Sequence, residues 1–182
     1  MKSGVQTAGF LLLFLFVFVF FSSSCESRIA QDRFAYAKEE LNVEISGTID
    51  EKEVRAIMYS RPKAKNEEIK AVLRFTFPES LEGMTVTLLA NGDCNVRLGG
   101  AVVDTEGFEG LVEPFRPVFE PGEIHSVKKN SRDSDDVRVC DENCDITYRF
   151  VNNFDIPSRI WGECGGKKLD FTIFKIPSDS TN

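Results

Sequence analysis

The chain has 182 residues and a formal net charge of −7, with 29 acidic residues against 22 basic ones and a single histidine. That balance argues against nucleic acid as a partner and against a polybasic grip on anionic lipid. Every acidic residue, and every basic one except Lys2, lies beyond residue 24, in a stretch about one domain long.

The apolar run Phe10–Phe21 follows Lys2 and precedes Ser22-Ser23-Ser24-Cys25. Its twelve residues would cover about 18 Å as a helix, short of the ~30 Å hydrocarbon core, so a stable membrane span is the weaker reading. A charged start, a short apolar core and a run of small residues make an export signal. Ser22 and Ser24 suit an ordinary signal peptidase. Ser23-Ser24-Cys25 instead resembles a bacterial lipoprotein signal with a relaxed lipobox, because Ser22 stands where leucine is usual. The expectation is residues 1–24 as leader and acylation of Cys25 (a palmitate-class modification). That lipid would hold the protein to the extracytoplasmic face of a bacterial cell membrane. The chain has five cysteines, and acylating Cys25 leaves Cys94, Cys140, Cys144 and Cys164, an even number in an oxidising setting.

Residues 25–40 read as a lipidated N-terminus and tether, in which Phe34, Ala37 and Leu41 could share one helical face. From Leu41 the period becomes two. "LNVEIS" puts Leu41, Val43 and Ile45 on one face, and "EVRAIMY" is a second strand after a turn at Asp50-Glu51. "IKAVLRFTF" alternates with Ile69, Ala71, Leu73, Phe75 and Phe77 inward, as a half-buried antiparallel strand does. "MTVTLL" and "CNVRL" form a hairpin around Asn91-Gly92, with Met84, Val86 and Leu88 inward. The expected loop is Asn91–Asp93, with Ala90 opposite Cys94 and Cys94 facing the core.

Residues 105–120 break that rhythm. Phe108, Leu111, Val112, Phe115 and Phe119 recur at helical spacing, and Pro114 and Pro117 divide the segment into one or two short pieces. "EIHSVKK", "DVRV", "CDITYRFV", "RIWGE" and "KKLDFTIFK" are the remaining strands, the last two closing on Gly165-Gly166. The fold class is mainly β: an open antiparallel meander or half-barrel of nine or ten strands. One helical insert forms its lid, and residues 41–176 make a single domain before a short tail, 177–182.

The stretch "RFTFPESLEGMTVTL" followed by "NGDCNVRLGG", then "VNNFDIPSRI" and "KKLDFTIFK", resembles a pattern of small lipoproteins of clostridia and related bacteria. Their layout is similar to the lipoprotein carriers of the LolA/LolB type, an unclosed antiparallel barrel with helices plugging a concave apolar face. The resemblance covers residues 40–176 and implies a site for an acyl chain or other hydrophobic ligand; it carries over no catalytic residues. The carrier system uses an outer membrane, which clostridia-like cells lack.

The groove candidates are Phe108, Leu111, Phe115 and Phe119 as lid over Leu73, Phe75, Val86 and Leu88. The same residues would equally serve an ordinary core of helix on sheet. In "VRVCDENCDI" a Cys140–Cys144 hairpin disulfide is expected ahead of a Cys94–Cys164 pairing and ahead of a metal site, because His125 is the only histidine and no second ligand pair accompanies the two cysteines. His125 has no nucleophile beside it and reads as a surface strand residue. Trp161 shares its face with Arg159 and Glu163, which favours partial exposure. The acidic run Asp133–Asp136 reads as a solvated turn. No enzyme activity, cofactor or metal is expected. The leading function is binding of a lipid or other hydrophobic ligand. The alternative is an anchored module with a filled core that contacts an envelope protein or a glycan.

Overall fold

The computed structural model describes residues 32–103, 109–131, 133–152 and 154–177. Period-two segments become eleven strands: β1 Leu41–Ile49, β2 Lys52–Ser60, β3 Ile69–Phe77, β4 Thr85–Leu89, β5 Cys94–Leu98, β6 Ala101–Val103, β7 Ile124–Lys129, β8 Ser134–Cys140, β9 Cys144–Val151, β10 Arg159–Cys164 and β11 Lys167–Lys175. All are antiparallel in one open sheet of order β6-β5-β4-β3-β2-β1-β11-β10-β9-β8-β7. The sheet is therefore two meanders, β1–β6 and β7–β11, stitched where β1 runs beside β11 from Val43↔Lys175 to Ile49↔Leu169. It does not close into a barrel; β6 and β7 are its edges.

Local chemistry sets the tight turns. Gly165 and Gly166, at φ +59° and +73°, supply the left-handed pair that a two-residue hairpin between β10 and β11 needs. Between β1 and β2 the same geometry falls on Asp50 and Glu51, and the loop is tied to β11 because Lys168 N donates to Asp50 Oδ1 at 2.9 Å. At the seam, Gly47 sits opposite Phe171, and a Cβ there would lie 1.9 Å from the Asp170 carbonyl oxygen. Only the absence of a side chain lets the two meanders approach that closely.

The helical insert falls between the two meanders, as two helical turns, Glu109–Val112 and Arg116–Phe119, joined by a 3-10 turn Glu113–Phe115. We call residues 109–119 the strap. Phe115 on it stacks with Phe171 of β11 (centroids 5.3 Å apart) and meets Phe75 of β3 edge-on (5.7 Å). Those strands stand three places apart, about 14 Å in a flat sheet, so the sheet must curl around the strap. The core begins ahead of β1: Phe34 and Tyr36, flanking the start of the 3-10 turn Ala35–Lys38, are buried against Phe150, and Phe34 also against Tyr148.

Several expectations are corrected. The sheet has eleven strands rather than nine or ten, the unforeseen one being β6, which folds back through Gly99 and Gly100 at positive φ. In the β4–β5 hairpin Leu88, not Ala90, faces Cys94, which keeps the inward face but slips the register by two and leaves Leu98 exposed. Ile69 precedes a register shift in β3 and is exposed. Asp135 is buried in β8 and ion-paired to Arg33 at 2.9 Å rather than lying in a solvated turn. The disulfide joins Cys144 to Cys164 rather than to Cys140. Val139 pairs with Ile146 and Cys140 with Asp145, so Cys140 points out while Cys144 shares the inward side and lies directly opposite Cys164.

Candidate ligand-binding face

The inward positions of the strands make one continuous apolar surface. Leu73 and Phe75 from β3, and Val86 and Leu88 from β4, all belong to it and are buried. Across the seam it continues through Phe171 of β11, Ile160 of β10 and Ile146, Tyr148 and Phe150 of β9. The strap lies on this surface: Val112, Phe115, Val118 and Phe119 are buried, and Leu111 is partly buried against the same cluster. Of the groove candidates the structure thus brings together Leu73, Phe75, Val86, Leu88, Leu111, Phe115 and Phe119. Phe108 and Cys25 lie outside the described residues. The strap's own side chains fill the face in this conformation.

Polar ties between strap and sheet are few. Among the described residues, Tyr148 Oη donates to the Pro117 carbonyl at 3.0 Å, Lys167 Nζ donates to the Gly110 carbonyl at 2.8 Å, and Lys70 pairs with Glu120 just past the strap's end. Pro114 and Pro117 have no N–H to give, and Pro117 would cost an ordinary helix one of its bonds. The strap is held by apolar side chains far more than by its backbone.

Two tyrosine hydroxyls stand in this apolar setting. Burial pushes the Tyr148 phenol well above the usual range, with the Asp141 charge adding to it, so it stays a neutral donor to Pro117. Tyr36 is pushed up likewise, by burial first and by Tyr148 second. Its hydroxyl is buried and has no hydrogen-bond partner among the described residues. The helical-face reading of residues 34–41 passed over Tyr36 because it falls between Phe34 and Ala37. A signal was present: a tyrosine directly ahead of the first inward strand residue, Leu41.

Three surface cavities flank these elements. One of about 450 Å³ has Tyr36 and Leu41 in its wall, with Phe154, Ile156, Asn42 and Lys175 around it. Another, of about 380 Å³, is lined by Phe34 and Phe119, with Lys38, Lys70 and Glu120 beside them. The largest, about 620 Å³, is on the opposite side of the sheet between Trp161 and the 141–145 turn. There the outward face of β8–β11 carries three Arg–Asp pairs: Arg138–Asp145, Arg149–Asp136 and Arg159–Asp170, each within 2.9 Å. In each the arginine hydrogen bond holds the carboxyl below its usual range. Arg149 and Arg159 both lie over the Trp161 ring, at 5.1 and 5.2 Å. His125 is exposed on the edge strand β7. No group of three metal-ligating side chains converges among the described residues, and no helix among them is long and apolar enough to cross a membrane.

No protein-family model matches the chain, and no curated protein sequence matches it. Among solved structures it is similar to an uncharacterised conserved protein from Thermus thermophilus, at 12% identity and a TM-score of 0.47 over 84% of this chain and 95% of that one. It is also similar to a LolA superfamily protein from Nitrosomonas europaea, at 12% identity and a TM-score of 0.46 over 84% of this chain and 94% of the other.

Proposed function

We propose that this is an exported, non-enzymatic lipoprotein, anchored through an acylated Cys25, that binds a lipid or other hydrophobic ligand on the inner face of the sheet by displacing the strap. The observation that carries the reading is how that face is closed. A curled sheet with a continuous apolar interior is covered by a short, proline-interrupted strap with three polar ties. Exchanging the strap's side chains for an acyl chain keeps the face dry, and each Å² of ligand surface removed from water is worth ~25 cal/mol. The test is native mass spectrometry with lipid extraction on gently purified protein. A bound acyl species that disappears when Leu88 becomes Asp supports the reading. A bare polypeptide mass, together with no uptake of added acyl lipid, overturns it. Anchoring is tested separately: Cys25→Ser should abolish labelling by a fatty-acid probe and release the protein from membranes, and unchanged labelling refutes acylation there.

A second reading has its own observation. The cleft beside Trp161 is larger than the cavities at Tyr36 and at Phe119 and lies on the outward face, where a filled core would leave function to the surface. An envelope protein or a glycan could seat against that indole. Trp161→Ala would then abolish retention on cell-wall or envelope fractions while leaving acyl binding at zero in both proteins.

A further inference from the structure

Within the ligand-binding reading just given, on which this inference rests, the inner face holds one group that the strap does not satisfy. Tyr36 is 6% exposed, and its hydroxyl has no hydrogen-bond partner among the described residues. A buried polar group left unpaired costs free energy, and where a native fold keeps one, a water, an ion or a ligand is the usual reason. Its surroundings narrow the choice. On one side it packs in the aromatic cluster with Phe34 and Phe150, which Phe34 extends to Tyr148 beneath the strap. On the other it walls the 450 Å³ cavity, around which stand Glu39, Asn42 and Lys175. Tyr36 thus stands between an apolar interior and a polar opening.

We propose that this cavity is the headgroup end of the binding face, and that Tyr36 donates its hydrogen bond to the carbonyl oxygen of an ester- or amide-linked acyl chain. The tail would lie inward along Phe150, Tyr148 and Phe115, and a polar or charged head would lie outward among Asn42, Glu39 and Lys175. An ionised carboxylate at the depth of Tyr36 would lose its hydration for one neutral donor, a poor exchange. An uncharged carbonyl loses far less and gains the bond. The site therefore selects esters and amides of acyl chains over hydrocarbons of the same length.

The experiment uses the protein as purified from the producing cell, freed of lipid, with two probes of matched carbon number, methyl dodecanoate and tridecane. Equilibrium binding is measured for the native chain and for Tyr36→Phe, with the melting temperature of each ligand-free protein. The ratio of ester to hydrocarbon affinity should be about ten-fold higher in the native chain than in Tyr36→Phe, the size of one hydrogen bond. In Tyr36→Phe the ester gives up its hydration with no bond in return, so the ratio shifts toward tridecane, with a melting temperature unchanged or raised because no partner has been lost. If the native chain binds neither probe, the ligand-binding reading itself fails. If the native chain and Tyr36→Phe show the same ratio of ester to hydrocarbon affinity, the inner face stands as a binding site but the Tyr36 subsite is overturned. A lowered melting temperature in Tyr36→Phe, with no change in preference, would assign the hydroxyl a resident structural partner and overturn the subsite as well.

Discussion

Phe115→Ala separates a strap that lifts from a strap that is simply core. Phe115 is 1% exposed and stands between Phe75 at 5.7 Å and Phe171 at 5.3 Å. Removing a buried phenylalanine ring of this kind costs about 3–5 kcal/mol, from lost transfer energy, two aromatic contacts and the cavity left behind. Where that loss appears depends on cooperativity. If residues 109–119 open as their own unit, the loss first comes out of the strap's opening free energy. Once the strap is open, the sheet loses nothing more, so global stability falls by at most that smaller amount. Native-state hydrogen exchange reads both quantities. The expected result is that the amides of Phe115, Val118 and Phe119 lose most of their protection. Those of Val43, Ile45 and Phe171 at the seam should weaken by clearly less than the full cost of the ring, ~3–5 kcal/mol. Urea unfolding should agree with the seam amides. A uniform fall of about 3–5 kcal/mol at strap and seam alike would show one cooperative core. That would refute displacement and favour the outward cleft at Trp161 as the working surface.

Gly47→Ala should destabilise by about 3 kcal/mol or more, because its methyl would meet the Asp170 carbonyl backbone, which a strand in mid-sheet cannot withdraw; a melting temperature unchanged within error would refute the close approach. Cys164→Ser should lower the unfolding free energy by about 3 kcal/mol, the loop-closure estimate for the 20-residue separation. A non-reducing peptide map should link Cys144 to Cys164, and a Cys140–Cys144 cross-link would overturn that pairing. Asp136 is held below the ordinary carboxylate range, first by the Arg149 hydrogen bond, so the unfolded chain takes its proton more readily than the fold does. Its contribution to stability is complete above about pH 4 and is lost as pH falls through the depressed folded value. Asp136→Asn should therefore differ most from the native chain near neutrality and converge with it in acid; a gap independent of pH would contradict the pairing.

The strands were legible because a sheet with one buried face writes its period directly into the chain. β3, with Leu73 and Phe75 inward, and β11, whose Leu169, Phe171 and Ile173 alternate with outward residues, follow from residue order alone. The strap was legible as a break in that period, and Pro114 and Pro117 gave its shortness. What alternation cannot give is a displacement by two residues, since that preserves every inward side chain. The β4–β5 register slipped in that way, with Leu88 rather than Ala90 opposite Cys94. The same blindness hid the disulfide. Cys164 lies inward at the end of β10, beside Cys144, and only knowing that β10 pairs with β9 brings them together. β6 escaped because three residues are too few for a period to show.

The two faces of the sheet are stabilised by different chemistry, and on the proposed reading that difference decides which part moves. On the outward side of β8–β11, three arginine–aspartate pairs bridge neighbouring strands, and two of those arginines also cover Trp161. Each pair is partly or wholly solvated and individually weak, but together they tie adjacent strands on the outward face. The disulfide adds a covalent tie between β9 and β10. Among the described residues the inward side carries no such ladder, only the single Arg33–Asp135 pair. Its polar links to the strap are Tyr148 to Pro117, Lys167 to Gly110 and Lys70 to Glu120, and the last two involve partly exposed groups that water can replace at small cost. Breaking the first deprives the Tyr148 hydroxyl of its acceptor, and the Tyr36 hydroxyl already lacks a partner among the described residues. An apolar hydrocarbon would satisfy neither, whereas an acyl ester brings an acceptor. On the proposed reading the sheet stays while the strap leaves, and an oxygen-bearing acyl chain is the occupant that would cost the opened face least.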